Sequence, residues 1–138
     1  MFRRLIVNAD DFGLARSVST GIIDAYRAGQ LSSTTLMVNM PGTEEAVGLA
    51  ERHPGLGVGL HFNLTEGRPL TDARSLVDTD GEFLLRGELI RRSARGHLRP
   101  DEITRELTAQ LDRFVSLGLS PTHLDSHQHV HMMPTIFR

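Results

Sequence analysis

Apolar and polar positions change period several times along the 138 residues, and each change predicts an element. Leu5-Ile6-Val7 is a short, wholly apolar run ending in Asn8, Asp10 and Asp11, as expected of a buried parallel strand. Val18, Ile22, Ile23, Ala25 and Tyr26 mark one stripe of a helix over 17–28, and Gly29 suits its stop. The β-branched and apolar stretch 34–38 predicts a second strand. After Pro41-Gly42, Thr43 is a candidate cap for a helix carrying Ala46, Val47, Leu49 and Ala50 as far as His53, where Pro54-Gly55 ends it. Residues 56–60 read as a glycine-spaced third strand that delivers His61 at its end.

From Asn63 to Gly81 the chain is polar and rich in turn residues, which predicts a long loop. The stretch 83–94 predicts a helix. Pro100-Asp101-Glu102 opens a longer one, with Ile103, Leu107, Leu111, Phe114, Val115 and Leu117 as its stripe and Gly118 as its stop. Residues 122–127 predict a fourth strand. The order β-α-β-α-β-loop-α-α-β is that of an α/β fold with parallel strands and crossover helices. In such folds the carboxyl ends of the strands open on one side, where ligands bind. Three of the four strands end on ligand-type residues, so that rim is the expected site.

Composition narrows the chemistry. With 39% hydrophobic and 23% charged residues, the chain reads as one ordinary globular domain over 1–138. A net charge of -2 gives no basic footprint for nucleic acid. No apolar run approaches the roughly 18 residues of a membrane span, and the N-terminal run is too short for a signal core, so a cytoplasmic protein is expected. Cysteine is absent, which removes disulfides and thiolates and leaves any metal to histidine and carboxylate.

Three stretches carry candidate chemistry. Asp10 and Asp11 are adjacent carboxylates at the end of a strand, where holding two charges is costly. A divalent cation on one would relieve that cost and leave the other as a base; the plainer alternative is a helix cap beside a solvated acid. His61 follows Gly57 and Gly59, which allow close backbone approach; alone it would more often be a structural, hydrogen-bonded residue. His53 and His97 read as solvent-facing, and His123 as packing. Three of the chain's seven histidines, His127, His129 and His131, fall at alternate positions after Asp125. On an extended segment these four would share one face, suited to a first-row cation. A catalytic cation keeps a position open for water, so three protein ligands suffice and the other imidazoles are left to orient ligands or contact substrate.

The stretches NADDFG (residues 8–13), GVGLHFNLTEGRPL (57–70) and THLDSHQHVHMMP (122–134) together closely resemble the YdjC-like carbohydrate deacetylases, which include the chitooligosaccharide (chitin disaccharide) deacetylases. The resemblance implies a (β/α) barrel-like fold and metal-dependent removal of acetyl groups from N-acetylated sugars or oligosaccharides. It also implies that Asp11, His61 and His127 bind the metal and that Asp10 is the general base. The implied cation is magnesium, whereas two imidazoles and a carboxylate suit zinc or another transition ion better. Asn8, His129, His131, Met132 and Pro134 are expected to shape the substrate pocket, with His129 or His131 a candidate proton donor to the leaving amine. A complete barrel needs roughly 250 residues, so this chain reads as about the N-terminal half of one. It is expected to be a truncated product or fragment, or to complete itself as a homodimer. A non-catalytic metal- or sugar-binding remnant, or a metallohydrolase acting on another ester or amide, are the alternatives.

Overall fold

The computed structural model describes residues 5–137. Four parallel strands, β1 (Asn8–Phe12), β2 (Ser33–Leu36), β3 (Gly57–Phe62) and β4 (Leu124–Ser126), lie in that spatial order. Helix α1 (Arg16–Arg27) joins β1 to β2, α2 (Thr43–Glu51) joins β2 to β3, and α3 (Arg86–Ala94) and α4 (Pro100–Ser116) precede β4. The expected α/β order and parallel pairing are both present.

The sheet divides cleanly into two faces. Val58 and Leu60 of β3 pack with Leu36, Ile22, Ile23, Val47 and Phe114 into one apolar cluster between strands and helices. Residues one step out of phase project from the opposite face, and there the register aligns Asn8 with Ser33, Thr35 with Gly59 and His61 with Asp125. That inner face is polar. A second apolar cluster, with Leu64, Leu76, Phe83, Leu89, Ile103 and Val130, forms beneath the long loop.

Several element boundaries differ from the sequence pattern. The run Leu5–Val7 is not the first strand: β1 begins at Asn8, and Leu5 and Ile6 are 83% and 75% exposed. A wholly apolar tripeptide has no period, so it does not reveal on which side of it the ladder begins; Phe12 takes the core position instead. Thr43 is not a cap. Gly42 holds that place because a Cβ there would lie 2.7 Å from the Gly13 carbonyl oxygen, and the Thr43 hydroxyl bonds the Met37 carbonyl at 2.8 Å. Helix α3 starts at Arg86, since Phe83 bridges Val77 and is buried with Leu84 under the loop. The fourth strand stops at Ser126, and residues His127–Met132 form a tight 3-10 turn broken by left-handed Gln128 and His129.

The long loop is fastened by polar side chains on α4 that a stripe of apolar positions does not reveal. Glu106, fully buried, accepts the backbone N–H groups of Leu70 and Thr71 at 3.0 and 2.9 Å and the Thr71 hydroxyl at 2.7 Å. Gln110 donates to the same carboxylate at 2.9 Å and to the Asn63 carbonyl at 2.7 Å, and Glu102 accepts the Ser75 N–H at 2.7 Å. Val115, placed in the stripe by spacing, is instead 55% exposed. Removing a buried acceptor orphans its donors, so Glu106→Ala is expected to lower the unfolding free energy by about 2–3 kcal/mol in urea titrations, with Glu106→Gln losing less.

Candidate metal centre

A regular strand would send Asp10 and Asp11 to opposite faces, but the ladder with β2 slips between Ala9 and Phe12. Asp11 adopts φ 67, a left-handed conformation that non-glycine residues rarely take unless the surroundings enforce it. Asp10 stays exposed on the inner face. Neither caps α1, whose N-cap is Ala15 with no side-chain bond.

One carboxylate oxygen, Oδ1 of Asp11, lies 3.2 Å from Nε2 of His61 and 2.8 Å from Nδ1 of His127. His61 is only 2% exposed, and its other nitrogen, Nδ1, lies 2.6 Å from Oδ1 of Asp125. The His61 and His127 rings sit 5.6 Å apart, nearly edge to face. A neutral imidazole carries one proton, and the shorter contact assigns it to the Asp125 side. That leaves the Nε2 lone pair of His61 facing a carboxylate oxygen, a repulsion that a cation between them would turn into attraction. Ligand bonds of about 2.0–2.1 Å in tetrahedral geometry put ligand atoms about 3.3 Å apart. The His61 contact already matches this, and the 2.8 Å His127 contact is a hydrogen bond that would open by about 0.5 Å around a cation. The ligand atoms of Asp11, His61 and His127 all lie within 4.8 Å of one another, as do those of Asp10, His61 and Asp125. The donor set of the first group fits a divalent cation.

A polar network on the inner face supports both groups. Asn8 Nδ2 donates to Asp10 Oδ1 at 2.8 Å and to Thr35 Oγ1 at 3.4 Å, and Thr35 in turn donates to Asp125 Oδ2 at 3.1 Å. His123 is part of this network. Its Nε2 donates to Asn8 Oδ1 at 3.2 Å, and its Nδ1 accepts from the Thr122 hydroxyl at 2.8 Å. Gly59 makes room for it, since a Cβ there would come within 2.7 Å of the His123 ring and of its carbonyl oxygen.

The expected sharing of one face by Asp125, His127, His129 and His131 does not occur, because the extended segment ends at Ser126. His127 turns to Asp11, whereas His131 Nδ1 bonds the Ser126 hydroxyl at 2.6 Å. His129 stands exposed on the left-handed part of the turn, its ring 6.3 Å from that of His131. Met132 is exposed, and Pro134 lies in a shallow depression against Ile90 and Ser93 of α3. Asn8 is engaged by Asp10, Thr35 and His123. Of the remaining histidines, His97 is exposed, while His53 bonds the Leu49 carbonyl and packs edge-on against Tyr26. Thr35 was invisible as a site residue in sequence, whereas Asp125 was signalled by its alternation with His127, His129 and His131; its pairing with His61 appears only in the register of β3 and β4.

The model of the YdjC-like protein family matches residues 4–138. Among curated proteins, a carbohydrate deacetylase of Geobacillus stearothermophilus is 55% identical over 99% of this chain and 54% of its own length. A chitooligosaccharide deacetylase of Serratia marcescens is 52% identical over 99% of this chain and 54% of its own. Among solved structures, an Enterococcus faecalis protein with a provisional name for cellobiose-phosphate cleavage is 33% identical, with a TM-score of 0.82, covering 91% of this chain and 49% of that one. This chain thus spans about half the length of the relatives it matches, and its sheet is consistent with part of a barrel.

The space requirement at Gly59 is testable by melting. Gly59→Ala is expected to destabilise the fold by about 1–3 kcal/mol through overpacking against His123. Gly57→Ala is the control: its Cβ would meet nothing nearer than 3.5 Å, so its stability is expected to stay level or rise.

Proposed function

The chain belongs to the YdjC-like protein family, and from that premise we propose that it forms the metal-binding half of a hydrolase that removes the acetyl group from N-acetylated sugars or oligosaccharides. The observation that carries this reading is the single Asp11 oxygen facing two imidazole nitrogens at 3.2 and 2.8 Å. Asp11, His61 and His127 would hold the divalent cation, which supplies a more acidic water and polarises the acetyl carbonyl.

Asp10 is the base. It is exposed on the inner face, and Asn8 holds one of its oxygens, so the carboxylate is fixed in direction yet open to solvent. It accepts the proton as water attacks the carbonyl carbon. The sugar amine then leaves with a proton, and His129 is better placed to give it than His131, whose ring is tied to Ser126. His129 and Met132 are both exposed on the turn after β4 and would contact the substrate. The donor set favours zinc, manganese or cobalt over magnesium.

Leu124 is exposed on the edge strand β4, and Leu5 and Ile6 are exposed just before the edge strand β1. A second copy of the chain, or the other half of a full-length protein, would bury them. No helix of the described residues is long and apolar enough to cross a membrane, and a cytoplasmic setting is part of this reading. Because the chain spans about half of its relatives, a binding-only remnant is the second reading.

Metal-depleted chain supplied with N-acetylglucosamine oligomers and zinc, manganese, cobalt or magnesium is expected to release acetate only when metal is returned. Asp10→Asn is expected to lower the rate by about 100-fold or more while still binding metal, and His61→Ala to lose both binding and turnover. Metal uptake without acetate release would favour the remnant. Release of phosphate or another acid in place of acetate would move the reaction to a different bond.

A further inference from the structure

Asp125 lies outside the three proposed ligands yet makes the closest polar contact to one of them, 2.6 Å from His61 Nδ1. We infer that Asp125 is a positioning residue for the metal centre: by accepting the Nδ1 proton of His61 it fixes the tautomer of that ring and aims its Nε2 lone pair at the space beside Asp11 and His127. The inference rests on the metal-centre reading above.

Three observations carry it. The register pairs His61 of β3 directly with Asp125 of β4, so both side chains leave the same face of the sheet and meet across adjacent strands. Thr35 on β2 donates to the second oxygen of Asp125 at 3.1 Å and accepts from Asn8 at 3.4 Å, which holds the carboxylate from the side away from His61. The ring itself is 2% exposed, so water does not compete for its Nδ1 proton. A histidine aimed this way from behind is a better ligand, because no rotation or proton shift is needed before its lone pair meets a cation.

Asp10, His61 and Asp125 also bring ligand-type atoms within 4.8 Å of one another, as a second cation site would. The distances argue otherwise. A separation of 2.6 Å is that of a charged N–H···O bond, well short of the edge of about 3.3 Å between two atoms ligating one cation. Both oxygens of Asp125 are already engaged.

The test uses the full chain stripped of metal and titrated with zinc alone by calorimetry. Asp125→Ala is expected to weaken zinc binding by about 10–100-fold, and Asp125→Asn, which keeps an acceptor without the charge, by less. Thr35→Val should give a smaller loss. Long-range 1H–15N spectra of the metal-free chain, at about pH 8 where an ordinary imidazole is neutral, should show the His61 proton on Nδ1 in the wild type and shared between both nitrogens in Asp125→Ala. Loss of stability alone would not move that signature, and circular dichroism identifies any variant that fails to fold; Asp125→Asn then carries the test. Unchanged affinity and an unchanged tautomer in a folded variant would overturn the inference while leaving the metal centre standing. So would two zinc ions per wild-type chain falling to one in Asp125→Asn, which would make Asp125 a ligand. A wild-type chain that takes up no zinc overturns the metal centre itself, and this inference with it.

Discussion

Two neighbouring carboxylates can serve different purposes only if the backbone sends them to different places. The φ of 67 at Asp11, with the slipped ladder around it, is what keeps both beside His61 in different positions. In a regular strand Asp11 would project toward the helices, where Phe12's neighbours form an apolar layer. The left-handed turn lifts its carboxylate to the strand end, within reach of His61 and His127, while Asp10 keeps the inner face. Strain of about 1–3 kcal/mol at such a residue persists only where surrounding contacts enforce it. Here the Asp11 carbonyl accepts the Leu14 N–H at 3.0 Å, and left-handed Gly13 continues the turn at φ 88.

The division of the sheet follows from the same economy of space. Apolar side chains of β2 and β3 are spent on the helix-facing layer, and the inner face is left to Asn8, Asp10, Ser33, Thr35, His61, His123 and Asp125. Polar groups on a partly buried face are stable only as a connected network, and these are connected. Asn8 is the junction: one amide hydrogen goes to Asp10, the other toward Thr35 and through it to Asp125, and its oxygen receives His123. The same rule explains α4, where Glu106 and Gln110 are buried but fully occupied by the backbone of the long loop.

Much of this was legible in the sequence because helix stripes and glycine stops are local. Helices α1 and α4 sit within a residue or two of their predicted bounds, and the parallel order follows from their alternation with strands. What could not be read is non-local. The apolar run Leu5–Val7 has no phase, so the start of the first strand was placed three residues too early. The alternation of His127, His129 and His131 resembled a strand, but Gln128 and His129 turn left-handed and scatter the rings. Residues 11, 61 and 127 were singled out through resemblance and through their places at strand ends. The engagement of Asn8 with Asp10, and of Thr35 with Asp125, depends on which strands lie side by side, information that no single stretch carries.

Val130, flanked by two histidines, is 2% exposed and belongs to the apolar cluster under the loop, whereas Phe12 and Leu60, the neighbours of Asp11 and His61, belong to the cluster between sheet and helices. His127 is therefore carried by one packing unit and its two companions by another. A cation gripped by all three would act as a rivet between separately packed halves, and its binding energy would be felt as cooperativity, making the loop region and the sheet melt together rather than in turn.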